Sequence, residues 1–255
     1  MLHYQVTPPR ATITIDDPER RNPLSNAGML EMAGLVDDAA ADDQVRVIVI
    51  TGAGNQAFSA GGDLSGGFIA EPLEGHNERG AIAGLFRSMR SAGKPTVARV
   101  NGHALAGGFG LAAACDVVIA VEDASFGTPE IKVGLWPMMI TAILQRVMPH
   151  KAALELMMTG RRIPAEEAMR LGVVSRVTPR SDLDAVVDVV VNSLAAMSPA
   201  ILRMGRDAFF AVEDLDFESA LGHLHNGLTA IASTEDAVEG VQAFLDKRRP
   251  RWRGR

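Results

Sequence analysis

Apolar positions in the first half of the chain follow two alternating rhythms. "YQVT" and "ATITID" flank "PPR" and predict a β-hairpin. In "NAGMLEMAGLVDDAA", Met29, Leu30, Met32 and Leu35 recur at helical spacing. "VRVIVITG" is an unbroken β-branched run, the pattern of a strand covered on both faces. One amphipathic helix is predicted over "GHNERGAIAGLFRSMRSA" and a strand in "PTVARVNG". "CDVVIAVEDASFGTP" predicts a strand, a turn and a short second strand. Alternation of helices with buried strands points to a layered α/β architecture.

The rhythm changes at Pro137. "MMITAILQRVM", "HKAALELMMTG", "AEEAMRLG", "DLDAVVDVVVNSLAAM", "PAILRMGRDAFFAV", "FESALGHLHNGLTAIA" and "EDAVEGVQAFLDKR" all predict helices. One short strand, "VVSRVT", interrupts them. The expected division is a core domain over 1–197 and a helical C-terminal region over 198–255.

Composition narrows the function. A net charge of −6 leaves no broad basic footprint for nucleic acid. The single cysteine, Cys115, cannot form an internal disulfide. The N-terminus has no apolar signal core. The most apolar run, Ala104 to Cys115, is too short to span a membrane. The expectation is a cytoplasmic protein with no nucleic-acid or membrane partner. The basic end, "FLDKRRPRWRGR", is either a solvated tail or a phosphate site.

"TGAGNQA" sets Gly52, Gly54 and Ala57 at the spacing of a dinucleotide fingerprint, with Glu71 or Glu74 further on. That fingerprint requires a helix to start within the glycine turn. "SAGGDLSGGF" follows instead, and its glycines disfavour a helix. Two glycine-rich elements remain, "AFSAGGDL" and "HALAGGFG", each after a buried strand. Glycines let backbone N–H groups approach a ligand, and helix starts leave such groups unpaired. Two amides side by side form an oxyanion hole. Taken singly, each element favours tight helix–strand packing; taken together, the two readings weigh about evenly.

Taken together, several ordered motifs resemble the crotonase superfamily of enoyl-CoA hydratases and isomerases. "AFSAGGDL", "KPTVARVNGHALAGGFGLAAACDVVIA", "ASFGTPEIKVGL" and "LMMTGRRIPAEEAMRLGVVSRV" carry the resemblance over nearly the whole chain. It implies a spiral of repeated ββα units with a helical C-terminal trimerisation region. It implies an acyl-CoA thioester as substrate, whose oxygen the amides of Gly62 and Gly107 would hold. The carbonyls of Ala60 and Leu64 would face the adenine, and Asp63 would shape its loop. Phe244 and Lys247 would reach adenine and phosphates, often those of a neighbouring subunit, and Arg20 or Arg21 would contact phosphate. A homotrimer or a dimer of trimers follows. No metal is expected, and no cofactor beyond the coenzyme A that the substrate carries.

Hydratases of that family use two glutamates. The second position is Glu130, in "GTPEI", and the first falls on Gly110, which cannot move a proton. A single base suits an isomerase, which takes a proton at C2 and returns it at C4. The alternatives are a hydratase and a protein that only binds acyl-CoA. Trp136, Met138 and Met139 stand where relatives carry small residues, and either line an acyl pocket or pack a helix.

Overall fold

The computed structural model describes residues 1–63 and 74–255; Leu64 and Glu71, named above, lie outside the described residues. The N-terminal hairpin is β1 (Leu2–Thr7) and β2 (Arg10–Ile15), antiparallel with Leu2 opposite Ile15. Next come β3 (Pro23–Leu24) and α1 (Asn26–Ala41), which Ser25 caps by accepting from the Gly28 amide. β4 (Val47–Gly52) is buried at all six positions, as its β-branched run predicts. β5 (Ala57–Ser59) and β6 (Gly61–Gly62) follow. The dinucleotide fingerprint therefore leads into a strand and not a helix.

The helix expected over "GHNERGAIAGLFRSMRSA" is two helices, α2 (Glu74–Arg79) and α3 (Ala81–Ser91). Gly80 breaks it: its amide turns back to the carbonyls of His76 and Asn77, and glycine propagates helices poorly. The chain continues through β7 (Thr96–Val100), β8 (His103–Leu105), α4 (Gly107–Ala113), β9 (Val117–Val121) and β10 (Ser125–Gly127). A 3-10 turn over Pro129–Val133 leads to α5 (Met138–Val147) and α6 (His150–Thr159). β11 (Arg162–Pro164), α7 (Ala165–Arg170), β12 (Arg176–Thr178) and α8 (Leu183–Ala195) precede the last three helices. These are α9 (Pro199–Ala211), α10 (Phe217–Ala232) and α11 (Glu235–Leu245).

Two main sheets organise the core. The larger runs β1-β2-β4-β7-β9-β12, parallel after the first pair, and the smaller runs β11-β10-β8-β5. The pairs β4/β5, β7/β8 and β9/β10 each send their first strand to the larger sheet and their second to the smaller. A helix follows each pair, so the chain winds as repeated ββα units. The corner between β7 and β8 turns on buried Asn101. Its side chain accepts from the Gly52 amide (3.2 Å) and donates to the Gly54 carbonyl (2.8 Å). Buried amides persist in a core when they are satisfied in this way.

α8 packs on the larger sheet, whereas α9, α10 and α11 pack mainly on one another. Among them only Ala200, Asp236 and Ala243 are buried. Asp236 ties the end of the chain down: its carboxylate accepts from Ser198 Oγ (2.5 Å) and from the amides of Arg253 (2.6 Å) and Gly254 (3.0 Å). Among the described residues, no single helix is long and apolar enough to cross a membrane.

Candidate active site

The smaller sheet brings the glycine segments together. β5, β8 and β10 run parallel, and their C-terminal ends lead into Gly61–Gly62, Ala106–Gly107 and Thr128–Glu130. The C-terminal ends of parallel strands are where open α/β folds hold their ligands. The Ala106 amide donates to the Gly127 carbonyl at 2.9 Å, which ties the second segment to the third. A Cβ placed on Gly107 would lie 3.5 Å from the Gly62 nitrogen and 3.7 Å from Gly61 Cα, so the first two segments are in contact.

Among the described residues, the amides flanking Gly62 are paired and those of Gly62 and Gly107 are not. The Asp63 amide donates to the Leu24 carbonyl (2.9 Å) and the Gly61 amide to Ser59 Oγ (3.1 Å). Leu24 is registered opposite Gly62, so the strand's pleat turns the Gly62 amide away from β3. Gly62 thus sits on a short strand, and only Gly107 opens a helix. As the first residue of α4, Gly107 has no carbonyl one turn back to accept from its amide. Ala106, just before it, holds φ 50° and ψ −128°, a strained geometry for a residue with a Cβ. Such strain persists where the surroundings enforce it and collects at functional sites.

Glu130 is the second residue of the 3-10 turn after β10. Burial pushes its carboxyl up to about 7. Its Oε2 and the hydroxyl of Thr128 are both buried and unpartnered among the described residues. An unsatisfied buried polar atom costs about 1–3 kcal/mol. Unfolded Glu130 ionises from about 4.5 upward, whereas the folded protein holds the proton until about 7. Stability from this group is therefore full below about pH 4.5 and lost as pH rises to about 7. Glu130→Gln should stabilise the fold at pH 8 by on the order of 2–3 kcal/mol and leave it unchanged at pH 4. Denaturant titration at the two pH values reads this difference.

A family model described as enoyl-CoA hydratase/isomerase matches residues 10–255. The chain belongs to this family. A relative from Thermus thermophilus is 37% identical over 95% of this chain and 96% of its own. Carnitinyl-CoA dehydratase of Salmonella typhimurium is 34% identical over 100% of this chain and 98% of its own. The crystal structure of an enoyl-CoA hydratase from Mycobacterium smegmatis superposes with a TM-score of 0.94, at 32% identity and 98% coverage of both chains.

Gly110 is the position where the sequence leads one to expect a first glutamate and finds none. A Cβ there would lie 2.9 Å from Ile140 Cγ1, 3.1 Å from Ile140 Cγ2 and 3.2 Å from Phe86 Cζ. The volume that a side chain at 110 would enter is thus filled by two apolar side chains. Trp136 and Met139 are half-buried against the core, whereas Met138 is 69% exposed. Arg20 bonds Asp63 at 2.8 Å, so Asp63 braces the loop between β6 and the N-terminal segment. The Arg21 carbonyl accepts from the Ala60 amide at 2.9 Å, and Arg21 itself has φ 65°.

Phe244 and Lys247 lie at the end of α11, whose main packing partners are α9 and α10. Phe244 is 82% exposed. Much of the basic tail is neutralised locally: Arg248 pairs with Glu239, and Arg253 and Arg255 with Glu235. Among the described residues, Lys247, Arg249 and Arg251 have no carboxylate within ion-pair distance of their side chains. No cluster of potential metal ligands occurs among the described residues.

Three contributors escape a reading of the sequence. Ser59 holds the Gly61 amide, Asn22 donates to the Ala53 and Ala57 carbonyls, and Ala106 carries the strained turn. No motif marks Ser59 or Ala106.

Proposed function

We propose that the chain moves a double bond in an enoyl-CoA thioester, with Glu130 as its single proton carrier. The amides of Gly62 and Gly107 hold the thioester oxygen. Negative charge develops there as the proton at C2 leaves, and two fixed donors stabilise it. The Glu130 carboxylate takes that proton, becoming the neutral acid while the dienolate forms. The same acid returns the proton to C4, so the double bond shifts from C3–C4 to C2–C3 and Glu130 is regenerated. A base whose pKa lies near the working pH suits both halves of this exchange. Ala60 and Leu64 would line the adenine site. Arg20, Arg21, Phe244 and Lys247 would supply phosphate and adenine contacts, the last two across a subunit boundary. The exposed α10 stripe of Phe217, Leu221, Leu224 and Leu228 would face that boundary in a trimer or a dimer of trimers.

The observation that carries the isomerase reading is the filled space at Gly110. Hydration needs a second group to orient water at C3, and Ile140 and Phe86 occupy that volume. A second reading, addition or removal of water, rests on the names of the relatives, which include a hydratase and a dehydratase. Incubation with a 3-enoyl-CoA tests the choice. Conjugated-enoyl absorbance should appear, and a 2-enoyl-CoA should lose it far more slowly. Rapid loss from the 2-enoyl-CoA would favour the hydratase. Thioester binding without either change would leave a binding protein.

Gly110→Glu should not create a hydratase. The new side chain meets Ile140 and Phe86, and overpacking of this kind costs about 1–3 kcal/mol. Thermal melts and the hydration assay together check this outcome.

A further inference from the structure

The face of the smaller sheet that turns away from the core carries a set of basic side chains. Alternation fixes which residues reach it. Ala104, Phe126 and Ile163 are registered side by side and fully buried, so His103, Ser125 and Arg162 stand on the opposite face. Ser125 Oγ and His103 Nδ1 are 3.0 Å apart, which joins β10 to β8 across that face. Gly127 lies next to them without a side chain, and a Cβ there would come within 3.4 Å of Arg162 Cγ. The stem of Arg162, on the edge strand β11, is therefore seated against Gly127.

Cations surround the imidazole from three sides. Arg162 comes from β11. Arg21 comes from the opposite edge, where its carbonyl accepts from the Ala60 amide just past β5 (2.9 Å). Arg180 comes from the turn after β12 and donates to the Asn101 carbonyl (2.6 Å) and to both oxygens of Asp123 (2.7 Å). Burial first, then Arg162, with Arg21 and Arg180 adding to it and Asp123 opposing them, holds His103 below the usual histidine range. Asp123 is the carboxylate whose field reaches this imidazole, and Arg180 neutralises it. Among the described residues, the side chains of Arg21 and Arg162 make no ion pair or hydrogen bond. Two uncompensated guanidiniums thus flank a neutral imidazole, in a protein of net charge −6.

We infer that this face of the smaller sheet binds a phosphate group on Arg21, His103 and Arg162. Guanidinium forks match phosphate oxygens. With Nδ1 accepting from Ser125, the imidazole Nε2–H becomes a third donor. A tetrahedral dianion brings enough oxygens for all three donors, which chloride does not. The site is separate from the glycine cradle: β8 begins at His103, and Gly107 lies beyond its other end. Only Arg21 is shared with the thioester reading above, so Arg162 and His103 carry the test.

Calorimetry on the intact protein at pH 7 and low ionic strength, with inorganic phosphate and glycerol 3-phosphate as probes, reads the site. At least one probe should bind saturably, one per chain, and the tighter of the two names the source of the phosphate. Arg162→Gln should weaken that binding at least about tenfold. Arg162 is exposed, so its variant should keep the wild-type melting temperature. Sulfate does not titrate near pH 7 and gives a second readout. Its binding should draw a proton onto the protein, measured in two buffers of different ionisation enthalpy, and His103→Gln should abolish that uptake. Potassium chloride at equal ionic strength should give no saturable heat. Acyl-CoA affinity unchanged in Arg162→Gln, beside lost phosphate binding, supports a separate site. No saturable binding of either probe, or equal affinity in wild type and Arg162→Gln, overturns the inference. A parallel loss of acyl-CoA affinity in Arg162→Gln also overturns it, because the guanidinium would then serve coenzyme A. So does a changed oligomeric mass in Arg162→Gln when wild type binds no phosphate, which would give the cluster to a carboxylate of a second copy.

Discussion

Glu130→Gln should lower double-bond migration by at least about 10³-fold while leaving the affinity for a saturated acyl-CoA within about threefold of wild type. The two side chains have nearly the same shape, so the turn after β10 should survive. What disappears is the carboxylate to which the proposed reaction assigns the proton transfer. The size of the loss follows from the proposed division of labour: the amides stabilise charge but cannot carry a proton. Wild-type kcat should fall about tenfold per pH unit below about 7, where burial holds the Glu130 proton in place. The residual rate of the Gln variant should lack that acid limb. Equal rates for the two proteins would remove Glu130 from the chemistry, whatever the stability measurements show.

The parts of this molecule that were legible in its sequence are those fixed by local pattern. β4 announced itself because six consecutive buried residues need a β-branched run. The C-terminal helices were plain from their spacing. β3, β6, β8 and β11 contain two or three residues each and offer no period to detect. They exist because distant segments pair with them, as Leu24 does with Gly62. Gly107 could be placed at a helix start from its neighbours. The approach of Gly61 to Ala106 could not, since it is a contact between residues 45 positions apart that only the smaller sheet creates. Gly110 shows the same limit. Its lack of a carboxylate was visible in one letter, yet what fills the space belongs to α3 and α5.

Gly61→Ala should cost about 10²–10³-fold in kcat/KM, because it separates the two amides that the mechanism requires to converge. Gly61 has φ 98°, a conformation that strains any residue with a Cβ. The added methyl would also lie 2.6 Å from Ala106 Cβ, 2.9 Å from the Gly107 nitrogen and 2.9 Å from the Leu105 carbonyl oxygen. None of these is the end of a flexible side chain that could swing aside. Relief must come from moving β6 away from the start of α4, which pulls the Gly62 amide from the Gly107 amide. Gly62→Ala is the matched control for the fold. A Cβ there meets nothing within 4 Å among the described residues, so its melting temperature should stay at the wild-type value while that of Gly61→Ala falls. General unfolding can be told from a spread cradle through Glu130. If Gly61→Ala still gains stability at pH 8 on adding Glu130→Gln, the turn after β10 is intact and the lost activity belongs to the amides. Wild-type turnover in Gly61→Ala would mean that the thioester oxygen is held somewhere else.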